Sequence, residues 1–414
     1  MGFYLIQFFT NIIPLLGIRT FFMRINQMKF LPVTLICLLS LLFSSFSLHA
    51  QAMLGYTDAQ GDYYVNDGGK LIHLEAQRII SAQPAANSIA YISNTGILTY
   101  YANHEQKRLE ISNPNFYKNT DYYLYYATGG SFSVFNGSTR KYLGYIQQNP
   151  FAFGDSIAAI HDYSEYFYVY ENEKIVELEQ HPAKKILAGD NIIAYVNHLD
   201  QFKVYFHGDK VDLDDYMPLK VDAGANIVAY IDSYNYLKIF YGGQIHEIYN
   251  VTQSTCLEIP GSIEDDGLPN YCNAQLVYDM QNALPLFVAG DDMVAYIDDM
   301  GKFLVFDKGI IVELESQMPL FYKVVDNVLY YVDNNNYFKV YTNAELSTVE
   351  TFYPEKIKAD KNVVVYTDLD KRLHAFYNGK QFKISDNIIL DFELNNTTIM
   401  YSEIPNKYKF YFLQ

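Results

Sequence analysis

Four aspartates, Asp232, Asp298, Asp333 and Asp368, each stand two places after a tyrosine, in segments such as "NIVAYID" and "MVAYID". Carboxylates repeated at one position have a chemical use if the fold brings them to a common rim, where they collect cations or steer a basic partner. The competing use is local: an aspartate at a strand end caps its own turn. Beside them lie Tyr234, Tyr236 and Tyr337, with Tyr163 and Tyr166 in the matching stretch of another copy. Rings in such turns offer flat faces on which a sugar or a peptide stacks. Asp232, Asp298, Asp333, Asp368, Tyr234, Tyr236 and Tyr337 therefore form a candidate binding rim.

Catalytic arrangements are missing. The sequence has no G-x-S-x-G elbow, no H-E-x-x-H, no phosphate-cradling glycine loop and no C-x-x-C. The histidines after residue 52 are His73, His104, His161, His181, His198, His207, His246 and His374, and none of them forms a pair with ligand spacing. No catalytic residue, metal ligand or cofactor-binding residue is assigned. Carboxylates are too plentiful for an acid–base pair to be picked by type alone.

The elements that must position these side chains are repeats of about 35 residues, ten of them between Met53 and the C-terminus. Anchored on one tyrosine, equivalent positions are Tyr56, Tyr91, Tyr126, Ala159, Tyr195, Tyr230, Tyr296, Tyr331, Tyr366 and Tyr401. Their spacings are 35, 35, 33, 36, 35, 66, 35, 35 and 35, the mark of one supersecondary unit copied in tandem. Each copy reads as short strands: "PLKVDAG", "NIVAYID", "YLKIFYG" and "GQIHEI" in the clearest one. An apolar–acidic pair recurs near the last strand, as in Leu74-Glu75, Leu314-Glu315 and Val349-Glu350. No long run carries apolar residues at helical spacing.

Four short strands in 35 residues suit the blade of a β-propeller, so the expected fold is all-β. Ten copies exceed the usual four to eight blades. One large ring is the favoured closure, with two five-bladed rings or an imperfectly closed arc as alternatives and a stacked solenoid as the runner-up. The 40 tyrosines and 28 phenylalanines, with no tryptophan, are expected to fill the wedges between blades.

One copy is longer. Tyr230 and Tyr296 are 66 apart, and the surplus, at about 250–281, contains Cys256 and Cys272. In an exported chain those two cysteines are expected to form a disulfide, and a long loop on a rigid scaffold is a candidate carrier of function.

Export is expected from the N-terminus. Arg24 and Lys29 precede the apolar run 30–48 and the pattern Ala50-Gln51-Ala52, which together describe a signal peptide over 1–52. Met23 or Met28 would be its natural start, leaving 1–22 or 1–27 as a mis-assigned beginning. An uncleaved anchor is the alternative, and only then is a membrane involved. Beyond residue 52 the chain has 27 basic side chains against 47 acidic ones, a formal −20. That charge excludes nucleic acid and anionic membrane surfaces and leaves a basic protein, a cation or a neutral glycan as partner. The expected location is periplasmic or secreted.

The segments "VDAGANIVAYIDSYNYLKIFYGG" (221–243) and "VAGDDMVAYIDDMGKFLVFDKG" (288–309) resemble the TolB-type variety of WD-like propeller repeat. The usual Ser-Pro-Asp-Gly turn of that family is reduced here to Ala-Gly-Asp at 188–190 and 289–291, Val-Asp-Asn at 325–327 and Ala-Asp-Lys at 359–361. The resemblance implies a protein-docking platform or the non-catalytic partner of a catalytic domain. The functional expectation is an exported, non-catalytic binding or scaffolding module for a protein or glycan. A polysaccharide-processing enzyme with acids in the central funnel and a self-associating envelope protein are the alternatives.

Overall fold

The computed structural model describes residues 52–145, 151–162, 164–251 and 284–414. The signal segment up to Gln51, Tyr163, and most of the 250–281 insertion with Cys256 and Cys272 lie outside the described residues. The fold belongs to the unit Gln51–Gln414.

Short runs of β-branched and aromatic residues broken by turn formers can only make short strands, and each repeat folds into one small antiparallel sheet. In the sixth blade the strands are Lys220–Ala223, Ile227–Ile231, Tyr236–Tyr241 and Gln244–Asn250, hydrogen-bonded in that order. The second strand is buried at all five positions, because neighbouring blades cover both of its faces. The fourth has no fully buried position, as an outer edge should. Gly242 and Gly243, at φ 59° and 80°, close the tight turn between third and fourth strands.

There are ten such sheets, eight of four strands, with three strands each in the first and last. No α-helix occurs among the described residues. The copies form one ring of ten blades, so the two-ring, open-arc and solenoid alternatives fall away. The fourth copy needs a correction. Ala159 pairs with Val169 just as Ala194 pairs with Val204 and Ala229 with Ile239. The residue equivalent to the anchor tyrosines is therefore Ile160, which pairs with Tyr168 as Tyr195 pairs with Lys203. Strand register rather than residue type sets the equivalence.

No blade owns a private core. Each apolar cluster draws on two successive blades, as when Ile227, Ala229 and Ile239 pack against Phe287, Val294 and Tyr296. The seam between last and first blades is aromatic, with the Tyr56 ring 4.8 Å from Tyr408 and 6.3 Å from Phe410. The anchor tyrosines fill these wedges, and Tyr91, Tyr230, Tyr331 and Tyr366 are wholly buried. Burying so large a phenol leaves one hydroxyl to satisfy, and the apolar–acidic pair of the previous blade supplies the acceptor. Tyr91 donates to Glu75 at 2.9 Å, Tyr195 to Glu179 at 3.0 Å, Tyr331 to Glu315 at 2.8 Å and Tyr366 to Glu350 at 2.7 Å. Two motifs sixteen residues apart are thus one interaction.

Candidate functional site

The chemistry gathers where the hairpins between first and second strands meet at the middle of the ring. Gly154, Gly189, Gly224 and Gly290 hold one position in four successive blades, and the next blade crowds each of them. A Cβ on Gly189 would lie 1.6 Å from the Gly224 carbonyl oxygen, and one on Gly224 only 1.3 Å from that of Gly290. Only glycine permits that approach, and the approach lets the turns hydrogen-bond to one another.

These bonds run around the whole ring. Ala86 N donates to Asp121 Oδ1 at 2.8 Å, Thr120 Oγ1 to the Asp155 carbonyl at 2.9 Å, and Ser156 N to the Asp190 carbonyl at 3.0 Å. Asn191 N donates to the Ala225 carbonyl at 3.0 Å, Asn226 N to that of Asp291 at 2.9 Å, and Asp291 N to that of Asp326 at 2.8 Å. Lys361 N donates to Asp326 Oδ2 at 2.5 Å and Asn396 N to Asp360 Oδ2 at 2.6 Å. Asn395 Nδ2 closes the circuit, donating to the carbonyls of Met53 at 2.7 Å and Ala85 at 3.0 Å. A second relay of side chains, Ser156–Asn191–Asn226–Asp292, joins the fourth to seventh blades at 2.7, 3.1 and 2.9 Å.

Onto this girdle the sequence hangs aspartates. One residue after the glycine position stand Asp121, Asp155, Asp190, Asp291 and Asp326, with Lys361 at the same place in the ninth blade. Asp121, Asp155, Asp190, Asp326, Asp360 and Lys361 line one cavity of about 200 Å³. Lys361 Nζ reaches Asp121 Oδ2 at 3.3 Å, an ion pair between the ninth and third blades that crosses the ring. A larger hollow of about 590 Å³ beside Met300, Met318 and Leu320 is mostly apolar and gathers no comparable set of charges, so we place the site at the girdle.

Lys361 and the exposed Lys118, the two lysines lining the cavity, cannot neutralise its five carboxylates, and the half-buried turns keep water from doing so. Burial, then the charges of Asp190 and Asp121, push Asp155 up to about 7 against the pull of Lys361. Burial, then Asp326 and Asp190, push Asp291 up to about 7. Asp190 is raised by burial and then by Asp326, and Asp360 rises to about 6 through burial, with Asp326 adding to it. Lys361 is held above its ordinary range: burial opposes its charge, but Asp121, Asp326 and Asp155 outweigh burial. The cluster therefore holds protons near neutral pH and can take up a cationic group in their place.

The aspartates singled out in the sequence lie at the other end of the second strand, seven residues along from the girdle position, with the five-residue strand of about 17 Å between them. Each carboxylate binds its own turn. Asp232 Oδ1 accepts from Tyr234 N and Tyr236 N at 2.9 and 2.8 Å, Asp298 Oδ1 from Met300 N and Lys302 N at 2.9 and 2.8 Å, and Asp333 Oδ1 from Asn335 N and Tyr337 N at 2.8 and 2.9 Å. Asp368 Oδ1 accepts from Arg372 N at 2.8 Å. Asp232 and Asp333 are buried and also pair with Lys238 and Lys339 at 2.6 and 2.8 Å, while Asp368 contacts His374 at 3.0 Å. Tyr234 and Tyr337 are exposed, at 66% and 41%, and Tyr236 is partly buried beside them. Among the described residues no group of three or more His, Cys, Asp or Glu side chains has metal-holding geometry. In the sequence the girdle turns show only as departures from the Ser-Pro-Asp-Gly pattern at 188–190, 289–291, 325–327 and 359–361. The missed signal was an aspartate recurring five places before the anchor.

A family model described as a 10-bladed beta propeller domain matches residues 42–149, 143–259 and 271–412. The chain belongs to that family. No curated protein matches it. Among solved structures it is similar to the computationally designed Ika8 protein, at 14% identity over 72% of this chain and 95% of that one, with a TM-score of 0.31. Similar too is Prp20p from Saccharomyces cerevisiae, at 10% identity over 56% and 72% of the two chains, TM-score 0.29. A third is PorZ, a surface component of the type-IX secretion system of Porphyromonas gingivalis, at 10% identity over 86% and 56%, TM-score 0.27.

Proposed function

We propose that this propeller is an exported, non-catalytic binding or scaffolding module whose acidic centre receives a cationic segment of a protein partner. The observation that carries this reading is the convergence of five aspartates from several blades on one cavity that only two lysines, Lys118 and Lys361, share. A ring held by backbone bonds between turns keeps those carboxylates in place before the partner arrives, which lowers the ordering cost of binding. The TolB-type resemblance of 221–243 and 288–309, and the signal pattern before residue 52, support the docking role and the export. The turn aspartates Asp232, Asp298, Asp333 and Asp368, with their exposed tyrosines, are a second docking rim on this reading.

The test is capture from an envelope extract. Wild type is compared with a chain carrying Asp155→Asn, Asp190→Asn and Asp326→Asn, and with one lacking 250–281. The partner should be lost from the triple variant and released by raising the salt. Full retention by the triple variant would sink the proposal.

A second reading has an observation of its own. Carboxyls that burial keeps protonated near pH 7 suit the general acid of a glycoside hydrolase. Release of reducing ends from a polysaccharide panel, lost in Asp155→Asn, would favour it. A panel left intact by the wild type would remove it.

A further inference from the structure

We propose that His181 and His198 form a surface site for a borderline-soft first-row dication, copper(II) most tightly and zinc next. The two rings lie with centroids 4.2 Å apart and planes inclined by 49°, although seventeen residues separate them in the chain. Both side chains are exposed, so an ion reaches them directly. His181 stands in the connection leaving the fourth blade, and His198 in the hairpin after the second strand of the fifth. Imidazole nitrogens bind zinc or copper at about 2.0–2.1 Å, so two of them on one ion sit about 3 Å apart. Rings this close reach that spacing by side-chain rotation alone.

The backbone beneath them is already fixed. Lys184, in the connection, pairs with Asp200, in the hairpin, at 2.7 Å. Lys184 N also donates to the Val196 carbonyl at 2.8 Å. The two ligands thus start from segments clasped on both sides, and little is lost in ordering them.

The repeat shows that histidine is not required here for structure. At the same two positions in another wedge, Asn334 Nδ2 donates to Gln317 Oε1 at 2.9 Å, and Asn94 donates to Gln77 in a third. Those wedges close with a neutral amide pair. This one substitutes two groups that share the ability to bind a metal. With two protein ligands, water completes the coordination. Copper exceeds zinc by the Irving–Williams order, and magnesium and calcium, which want oxygen, are excluded. The acidic field of the chain, formally −17, raises the local concentration of any dication.

The test is a copper(II) titration of the full-length chain, purified without a histidine tag in a non-coordinating buffer, read by tyrosine fluorescence and electron paramagnetic resonance. The expected result is one equivalent bound with two-nitrogen coupling, weakening at acid pH as protons compete for the ligands. His181→Ala and His198→Ala should each weaken it roughly tenfold or more. The double variant His181→Gln with His198→Asn copies the amide pair of the other wedge, so it should keep the thermal midpoint and lose the equivalent. Copper bound equally well by that double variant, or a spectrum with oxygen ligands only, overturns the proposal.

Discussion

Raising the pH from 4 to 8 should destabilise this propeller, opposite in sign to the usual behaviour of surface carboxylates. Asp155 and Asp291 stand at about 7 in the folded ring against 3.8 for an ordinary aspartate. Between those limits the folded state binds more protons than the unfolded one, so stability is fully present below about pH 4 and is lost as the pH passes 7. A shift of about three units, at about 1.36 kcal/mol each, sets a ceiling near 4 kcal/mol for one group. Partial exposure screens the charges and the protons are shared, so about 2 kcal/mol is the working figure. For a unit of roughly 360 residues, unfolding entropy of about 2.1 cal/mol/K per residue turns that into a midpoint shift of about 2–3 °C. Asp155→Asn keeps the neutral shape and deletes the charge. Its midpoint should exceed wild type by that amount at pH 8 and approach it at pH 4, in calorimetric scans at fixed ionic strength. Lys361→Met removes the ammonium that pairs with Asp121 across the ring and should steepen the dependence. A wild-type midpoint that climbs steadily from pH 5 to 8, with Asp155→Asn parallel to it, would refute the argument.

Three further perturbations follow from the packing. Gly224→Ala drives a Cβ to 1.3 Å from the Gly290 carbonyl oxygen and breaks the girdle; it should cost about 3 kcal/mol or more by overpacking, measured by denaturant unfolding. Tyr331→Phe leaves Glu315 with its Lys339 ion pair and removes one bond to that carboxylate, which should cost about 1.5 kcal/mol without altering binding at the centre. Asp298→Ala removes two turn bonds and should cost about 1–2 kcal/mol. Asp298→Asn should cost little, since Asn197 caps the same turn of the fifth blade at 3.0 Å, and it isolates the charge of that rim from its structural work.

Strand content, repeat number and the position of each blade were legible because a wedge-filling tyrosine must return every 35 residues if each sheet is to cover the next. The function of the recurring acid near the fourth strand was not, because its partner lies in the following copy. Glu315 looks like a solvated strand end until Tyr331 is seen to donate to it. Residue type misled once: alanine is frequent one place before the anchor, and "IAAIH" offers two of them, so only the pairing of Ile160 with Tyr168 decides the register.

The candidate site was harder to read for a reason that lies in ring geometry. Asp232, Asp298, Asp333 and Asp368 drew attention because they follow an obvious tyrosine, yet a position at the end of the second strand is spread around the ring and each carboxylate finds its donors within its own turn. A position at the start of that strand is near the axis, where turns from all blades converge. Asp121, Asp155, Asp190, Asp291 and Asp326 are no more regular in sequence than the other set, but convergence turns separate charges into one interacting group. Lys361 is the clearest sign. In the sequence it merely interrupts a run of aspartates; in the ring it reaches Asp121 from six blades further along the chain. In a closed array, then, the strength of a repeated charge depends on its distance from the axis. The innermost turn of each repeat is where an acid has company.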